Sequence, residues 1–82
     1  MEQAMISIIN RLKEAREEKG IPLEKASKDT RISLKFLKAL EEEKYEVFSA
    51  EVYLKGFMRI YAQYLGLNPK ELLEDYERSK EK

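Results

Sequence analysis

The 82-residue chain contains no cysteine and no histidine. Without thiols it can form no disulfide and offers no thiolate nucleophile, and without imidazole it lacks the usual general base near neutral pH. Protein-bound zinc is held chiefly by these same two residue types. The commonest catalytic and metal-binding constellations are therefore excluded, and we expect no cofactor and no resident metal.

The chain also lacks a net charge, because 16 Lys and Arg residues balance 16 Asp and Glu residues. No overall electric field then concentrates polyanions such as nucleic acid or an anionic membrane surface. Any partner attracted by charge must be recognised by a local patch.

Long apolar runs are missing as well. Uncharged stretches such as residues 3–10 and 60–69 are far shorter than the ~20 apolar residues that span a bilayer. The first of them has neither the basic start nor the cleavage site of a signal peptide. The sequence therefore predicts a cytoplasmic location.

Apolar residues recur at helical spacing along most of the chain and predict five helices. The predicted helices cover about residues 4–19, 22–30, 34–43, 50–65 and 69–76. Pro22 and Pro69 suit first helical positions because proline lacks the amide hydrogen that is orphaned there. Ser33 and Asn68 can cap the third and fifth helices by accepting a bond from an exposed amide.

Two glycines are expected to end helices. Gly20 follows the basic last turn of the first helix, and Gly66 follows the fourth. Glycine adopts positive φ at little cost, which allows the chain to leave a helix. Between helices three and four, a connector at residues 44–49 is expected to be pinned to the core by Tyr45, Val47 and Phe48.

The pattern as a whole predicts an all-α fold, a five-helix bundle with a repressor-like helix-turn-helix core, over residues 1–76. Residues 77–82 are mostly charged and carry no apolar anchor, which predicts a fraying helix end or the start of a linker.

The helix-turn-helix prediction depends on the spacing within residues 23–40. Small residues, Ala26 and Ser27, stand where two helices would cross, and Ile32 follows the turn. Leu37 and Leu40 then face inward from the next helix. The spacing is typical of a helix-turn-helix unit, although an ordinary antiparallel helix pair can share it.

A DNA-binding version of this unit would use the start of its second helix. Readers of base edges present Arg, Asn or Gln there, whereas this helix begins with Ser33, Leu34 and Lys35. Lysines contact phosphates, which position a protein without specifying sequence. The candidate DNA-binding residues are Arg31, Ser33, Lys35 and Lys38. Four acids close behind, Glu41, Glu42, Glu43 and Glu46, would repel a docked duplex, so DNA binding is the alternative function.

The fourth helix carries more apolar residues than one core-facing stripe requires. At ~100° per residue they form two edges, the first of Leu54, Met58, Tyr61 and Leu65 and the second of Tyr53, Phe57, Ile60 and Tyr64. The second edge is either covered by the fifth helix or left as a partner-binding patch, because exposed aromatic residues beside Lys or Arg are typical interface anchors.

Three segments resemble the cytoplasmic domain of the RodZ family of bacterial cell-shape proteins. They are residues 19–24 (KGIPLE), 36–41 (FLKALE) and, most specifically, 52–69 (VYLKGFMRIYAQYLGLNP). The resemblance covers about residues 8–76. It departs from the family pattern at Pro22, where serine is frequent, at Glu43, where glycine is frequent, and at Ser49 and Glu51, where proline is frequent.

The resemblance implies a cytoplasmic adaptor that binds the actin-like filament protein MreB and links the cytoskeleton to the membrane in cell-shape control. Family members bind MreB through the helix that corresponds to residues 51–65, and their aromatic pair falls on Tyr53 and Phe57. The candidate partner-binding residues are Tyr53, Phe57, Lys55, Arg59, Ile60 and Tyr64. Members reach the membrane through a C-terminal transmembrane segment absent from this sequence.

We do not expect an enzyme. The remaining candidates for catalysis are carboxylates such as Glu71 and Asp75, which stand on a solvated helix face with no base or metal ligand beside them.

Overall fold

The computed structural model describes residues 8–80. Its described part contains five α-helices and no strand. The helices are α1 (Ile8–Glu18), α2 (Leu23–Thr30), α3 (Leu34–Glu42), α4 (Glu51–Tyr64) and α5 (Pro69–Lys80). The all-α, five-helix prediction is confirmed. The predicted start of the first helix near residue 4 lies outside the described residues, and the proposed boundary after residue 76 stays a prediction, with α5 helical through Lys80.

Both side-chain caps predicted from the sequence are present. The Ser33 hydroxyl accepts a hydrogen bond from the Phe36 amide at 3.3 Å, and the Asn68 side-chain oxygen accepts one from the Lys70 amide at 2.9 Å. Pro22 differs from the prediction. Its backbone is extended, at φ −64° and ψ 150°, so it precedes α2 rather than beginning it. Its carbonyl still accepts the first bond of the helix, from the Ala26 amide at 3.1 Å.

The turn between α2 and α3 is held by short polar side chains. The Ser27 hydroxyl donates to the Ile32 carbonyl at 2.6 Å, and the Thr30 hydroxyl donates to the Ala26 carbonyl at 2.7 Å. Thr30 also accepts from the Ile32 amide at 3.2 Å. Ala26 is fully buried, so the two helices cross closely at this point. These contacts confirm the helix-turn-helix unit.

The hydrophobic core takes residues from every helix. Among its fully buried members are Leu12 of α1, Ala26 of α2, Leu37 and Leu40 of α3, Met58 and Tyr61 of α4, and Leu72 of α5. The connector is a 3₁₀ helix, Tyr45–Val47, followed by the buried Phe48. Tyr45 packs edge-on against Tyr76 of α5, with ring centroids 5.4 Å apart. The connector is therefore pinned to the core as predicted.

Glu41 is buried, contrary to the expectation that it belongs to a repelling acidic surface. Only 9% of the residue is exposed. Arg16 of α1 binds its carboxylate at two points, through Nε at 2.7 Å and Nη2 at 3.1 Å. The Tyr61 hydroxyl of α4 donates to the same carboxylate at 2.5 Å. Arg16 also donates to the Ile21 carbonyl at 3.0 Å, just before α2.

The network raises the pKa values of both Arg16 and Tyr61. The hydrogen bond to Glu41 favours the charged guanidinium and raises the pKa of Arg16. Burial disfavours the phenolate and raises the pKa of Tyr61, and the bond to Glu41 acts in the same direction. Both shifts favour the charged form of Arg16 and the neutral form of Tyr61.

Four helix or turn ends adopt positive φ. Gly20 and Gly66 do so, at 66° and 81°, as predicted. Arg31 and Glu43 do so as well, at 65° and 62°. At Glu43 the family resemblance predicts glycine, and the left-handed conformation is consistent with that prediction, because a Cβ atom makes this conformation costly.

We expect Gly66→Val to lower the free energy of unfolding by about 2 kcal/mol, since a branched side chain is forced into the left-handed region. A Cβ atom at this position would meet nothing closer than the Lys19 ammonium nitrogen at 3.7 Å, so backbone conformation rather than crowding causes the loss. Gly66→Asn is the matched control and should lose less, because asparagine tolerates this conformation. Equal thermal melts for both variants and the parent would contradict the prediction.

We expect Glu41→Ala to cost about 3 kcal/mol of stability in chemical denaturation, because it leaves the Arg16 guanidinium buried without its counterion. Glu42→Ala is the control, since the side chain of Glu42 is 47% exposed and lies 3.7 Å from Lys44; its effect should stay within about 0.5 kcal/mol. The double variant Arg16→Met, Glu41→Leu should regain most of the loss because no buried charge remains. A Glu41→Ala variant as stable as the parent would mean that the network contributes nothing.

Candidate protein-binding surface

The inner side of α4 is fixed by the core. Leu54, Met58, Tyr61 and Ala62 are buried, and Leu65 just beyond the helix is 1% exposed. These residues include the whole first edge predicted from the sequence. The first edge is therefore the core-facing stripe, and the question is what happens to the second.

Part of the second edge is open to solvent. Tyr53 is 56% exposed and Ile60 is 43% exposed, and Arg59 beside them is also exposed. Val52 is 70% exposed, the highest value for a large apolar residue within residues 11–78. We call Val52, Tyr53, Arg59 and Ile60 the outer face of α4. Val52 was not among the predicted site residues. At ~100° per residue it lies on the same side of α4 as Lys55, Arg59 and Gln63, and an apolar residue on this polar side is the signal that could have found it.

Phe57 belongs to the packing of the fold. Its ring stacks on Phe36 of α3, with centroids 5.4 Å apart, and lies 6.1 Å from the ring of Phe48. Phe36 and Phe48 stack on one another at 5.1 Å. The side chain is half-buried against the core. Phe57 is therefore covered by α3 and the connector rather than by α5, and its role in partner binding stays a prediction.

The polar tips of two other candidates are engaged within the chain. The Lys55 ammonium pairs with the Glu77 carboxylate of α5. The Tyr64 hydroxyl donates to the Asp29 carboxylate of α2 at 2.7 Å. That bond raises the pKa of Tyr64 and lowers the pKa of Asp29. Lys55 and Tyr64 thus brace α4 against its neighbours and border the outer face.

The alternative DNA-binding residues are only partly available. Lys35 and Lys38 are exposed along α3, and Arg31 is exposed in the turn before it. The Ser33 hydroxyl, in contrast, caps the helix. Of the four acids expected to repel a duplex, Glu42, Glu43 and Glu46 are exposed and Glu41 is withdrawn into the network with Arg16.

A groove of about 830 Å³ lies along one side of α5 and reaches Arg59 of α4. Its lining includes Arg59, Lys70 and Arg78 together with Glu74 and Glu77, so it carries charges of both signs. Tyr53 and Phe57 are not part of it. In residues 8–80, no group of three or more Asp or Glu residues is arranged to hold a metal ion. None of the helices described is long and apolar enough to cross a membrane.

Known proteins share this fold and part of its sequence. The family model described as a helix-turn-helix domain matches residues 11–72. A chain of the solved complex in which bacterial actin MreB assembles with the cell shape protein RodZ has 38% identity and a TM-score of 0.83, with 90% of each chain covered. YmfM from Staphylococcus aureus, a putative DNA-binding membrane protein, has 25% identity and a TM-score of 0.83 over 89% of each chain.

A relative of known length places the domain in a larger context. The uncharacterized membrane protein YmfM of Bacillus subtilis (strain 168) is 33% identical over 49 residues. This chain spans 17% of that protein's length, so the relative is much longer than the domain. The match to the family model covers well over half of this chain, and the match to the RodZ complex extends over nearly all of it. The chain therefore belongs to the helix-turn-helix domain family that includes the cell shape protein RodZ.

Proposed function

We propose that this domain is a cytoplasmic adaptor that binds MreB through the outer face of α4 and links the bacterial cytoskeleton to the membrane. The observation that carries the proposal is the cluster of exposed apolar side chains on α4, Val52, Tyr53 and Ile60. It is supported by the similarity to a chain solved in complex with MreB, which is 38% identical over 90% of this chain.

The chemistry of the outer face suits a protein partner. Large apolar side chains that cluster in the open are characteristic of interfaces, and Tyr and Arg are enriched among the residues that dominate binding energy. Tyr53 supplies an aromatic ring on a helix that the core holds rigid. Arg59, which is exposed next to Ile60, adds a cationic side chain to this surface. Rigid anchors lose little entropy on binding.

Binding rather than catalysis is the activity that these residues support. In the described part of the chain, pKa shifts are found at Arg16, Asp29 and three tyrosines, and burial or hydrogen bonds within the fold cause them. The membrane link is proposed because two relatives are described as membrane proteins. The part of one of them that matches this chain is only 17% of its length, which leaves room for a membrane segment elsewhere. The domain would then lie on the cytoplasmic side.

DNA binding is the second candidate function. Two observations favour it: the exposed Lys35 and Lys38 on α3, and the description of the Staphylococcus aureus relative as putatively DNA-binding. The same helix carries the exposed acids Glu42 and Glu43 at its other end, and its Ser33 hydroxyl is occupied by the cap. Contacts to phosphate from two lysines would give weak binding without sequence preference.

We expect Tyr53→Ala to weaken MreB binding by about 2 kcal/mol, which is roughly 30-fold in Kd, with no change in the thermal melt. The side chain is more than half exposed, so its loss leaves no cavity. Leu34→Ala is the control, since it removes an exposed apolar side chain from α3 instead. Titration of fluorescently labelled domain with purified MreB measures the difference. Tight binding by Tyr53→Ala with normal melting would rule out this anchor.

Phe57→Ala should behave differently from Tyr53→Ala. It removes one ring from the stack with Phe36 and Phe48, so we expect a stability loss of about 2 kcal/mol or more. Phe57→Leu retains most of the buried volume and separates packing from recognition. If Phe57→Leu is nearly as stable as the parent but binds MreB more weakly, Phe57 contacts MreB. If Phe57→Leu binds MreB as tightly as the parent does, Phe57 serves only in packing.

The double variant Lys35→Glu, Lys38→Glu should fold normally and bind MreB as the parent does, because it reverses charge on α3 and leaves α4 untouched. A phosphate-docked domain would lose nearly all DNA affinity from the same change. Parallel titrations with MreB and with duplex DNA at two salt concentrations distinguish the two functions. Salt-sensitive DNA binding by the parent, abolished in the double variant, would establish the second candidate.

A further inference from the structure

We infer that Gly56 is a contact point at which the backbone of MreB approaches α4 closely, with the exposed residues Val52, Tyr53 and Ile60 around it. The inference rests on the proposed function, because it assigns a role within the same surface. Gly56 has no side chain, and no contact within residues 8–80 explains why glycine stands at this position.

The fold does not require glycine at this position. Gly56 lies in the interior of the 14-residue helix α4, where glycine is less favourable than alanine because the unfolded chain has more freedom to lose. Its φ is not in the left-handed region, unlike those of Gly20 and Gly66. A Cβ atom built on Gly56 would meet nothing within 4 Å. The chain therefore tolerates a side chain here, and the reason for its absence lies outside the chain.

Gly56 lies on the side of α4 that faces away from the core. At ~100° per residue, Gly56 points away from the side that buries Leu54, Met58 and Tyr61. Val52 stands one turn before it and Ile60 one turn after it, and they are 70% and 43% exposed. Tyr53, three residues earlier, is 56% exposed. Three large apolar side chains thus flank the half-buried Gly56, which has no side chain, and together they form a shallow apolar notch on the surface of α4.

A notch of this kind fits a closely packed protein segment. The distance between two packed helices is set by the side chains at their point of contact, so a glycine there allows the shortest approach. Val52 and Tyr53 on one side of Gly56 and Ile60 on the other would then pack against the approaching segment. The notch is continuous with the outer face proposed to bind MreB, which is why we assign MreB as its occupant.

Two substitutions of increasing size test the contact. Gly56→Ala should raise the melting temperature, because alanine favours the helix, and at the same time weaken MreB binding about tenfold, which corresponds to about 1.4 kcal/mol. Gly56→Gln, larger and also compatible with a helix, should weaken binding further. Gln63→Ala is the control, since it changes an exposed residue on the same side of α4, two turns away, and should bind MreB as the parent does.

The outcomes separate this inference from the proposed function. If the parent domain does not bind MreB, both fail. If the parent binds and Tyr53→Ala weakens binding, but both Gly56 variants bind as the parent does, the proposed function stands and the inference is wrong. A lower melting temperature for Gly56→Ala would show that the fold itself needs the glycine and would also overturn it. Concentration-dependent self-association of the parent, lost in Gly56→Gln while MreB binding persists, would assign the notch to a second copy instead.

Discussion

The buried carboxylate of Glu41 is the constraint on which the arrangement of the helices depends. Arg16 reaches it from α1 and Tyr61 from α4, while Arg16 also holds the carbonyl of Ile21 before α2. A carboxylate taken out of water must have such partners or it destabilises the fold. Their directional bonds fix how α4 is rotated about its axis. The same rotation that turns Tyr61 inward turns Tyr53 outward, so the network that orders the core also presents the proposed binding surface.

The fold was predictable from the sequence wherever its cause is local. Caps at Ser33 and Asn68 and the positive φ of Gly66 follow from residues within one turn of each feature. The burial of Glu41 was not predicted, because a run of three glutamates is typical of a solvated surface. Its partners lie 25 and 20 residues away in the sequence. The periodicity of α3 places Glu41 one turn after the buried Leu37, on the inner side, and Glu42 away from it. What that spacing cannot show is which groups of α1 and α4 bind the carboxylate.

The location of the candidate site on α4 was predictable, but which of its residues are exposed and which pack within the fold was not. The excess of apolar residues on α4 predicted a second edge, and part of that edge is open. Phe57, Lys55 and Tyr64 are instead used by the fold, because each meets a residue from another element: Phe36, Glu77 and Asp29 respectively. The periodicity of one helix cannot reveal such partners. Val52 was overlooked for the converse reason, since an apolar residue among Lys55, Arg59 and Gln63 has no core to join and is informative because it is exposed.

The helix-turn-helix unit and the outer face place different physical demands on the same small chain. A reader of DNA needs cationic and amide side chains on α3, whereas here the far end of that helix carries Glu42 and Glu43 at its surface and Glu41 in the core. Since α1, α2 and α3 are committed to a rigid scaffold, the side of α4 that the scaffold leaves uncovered can carry apolar residues without exposing the core. An exposed cluster of three such residues is small, which limits the affinity of a single contact. For the adaptor proposed above, a weak contact would be sufficient where many copies meet one filament, because attachment to one membrane would raise the effective concentration for the later binding events.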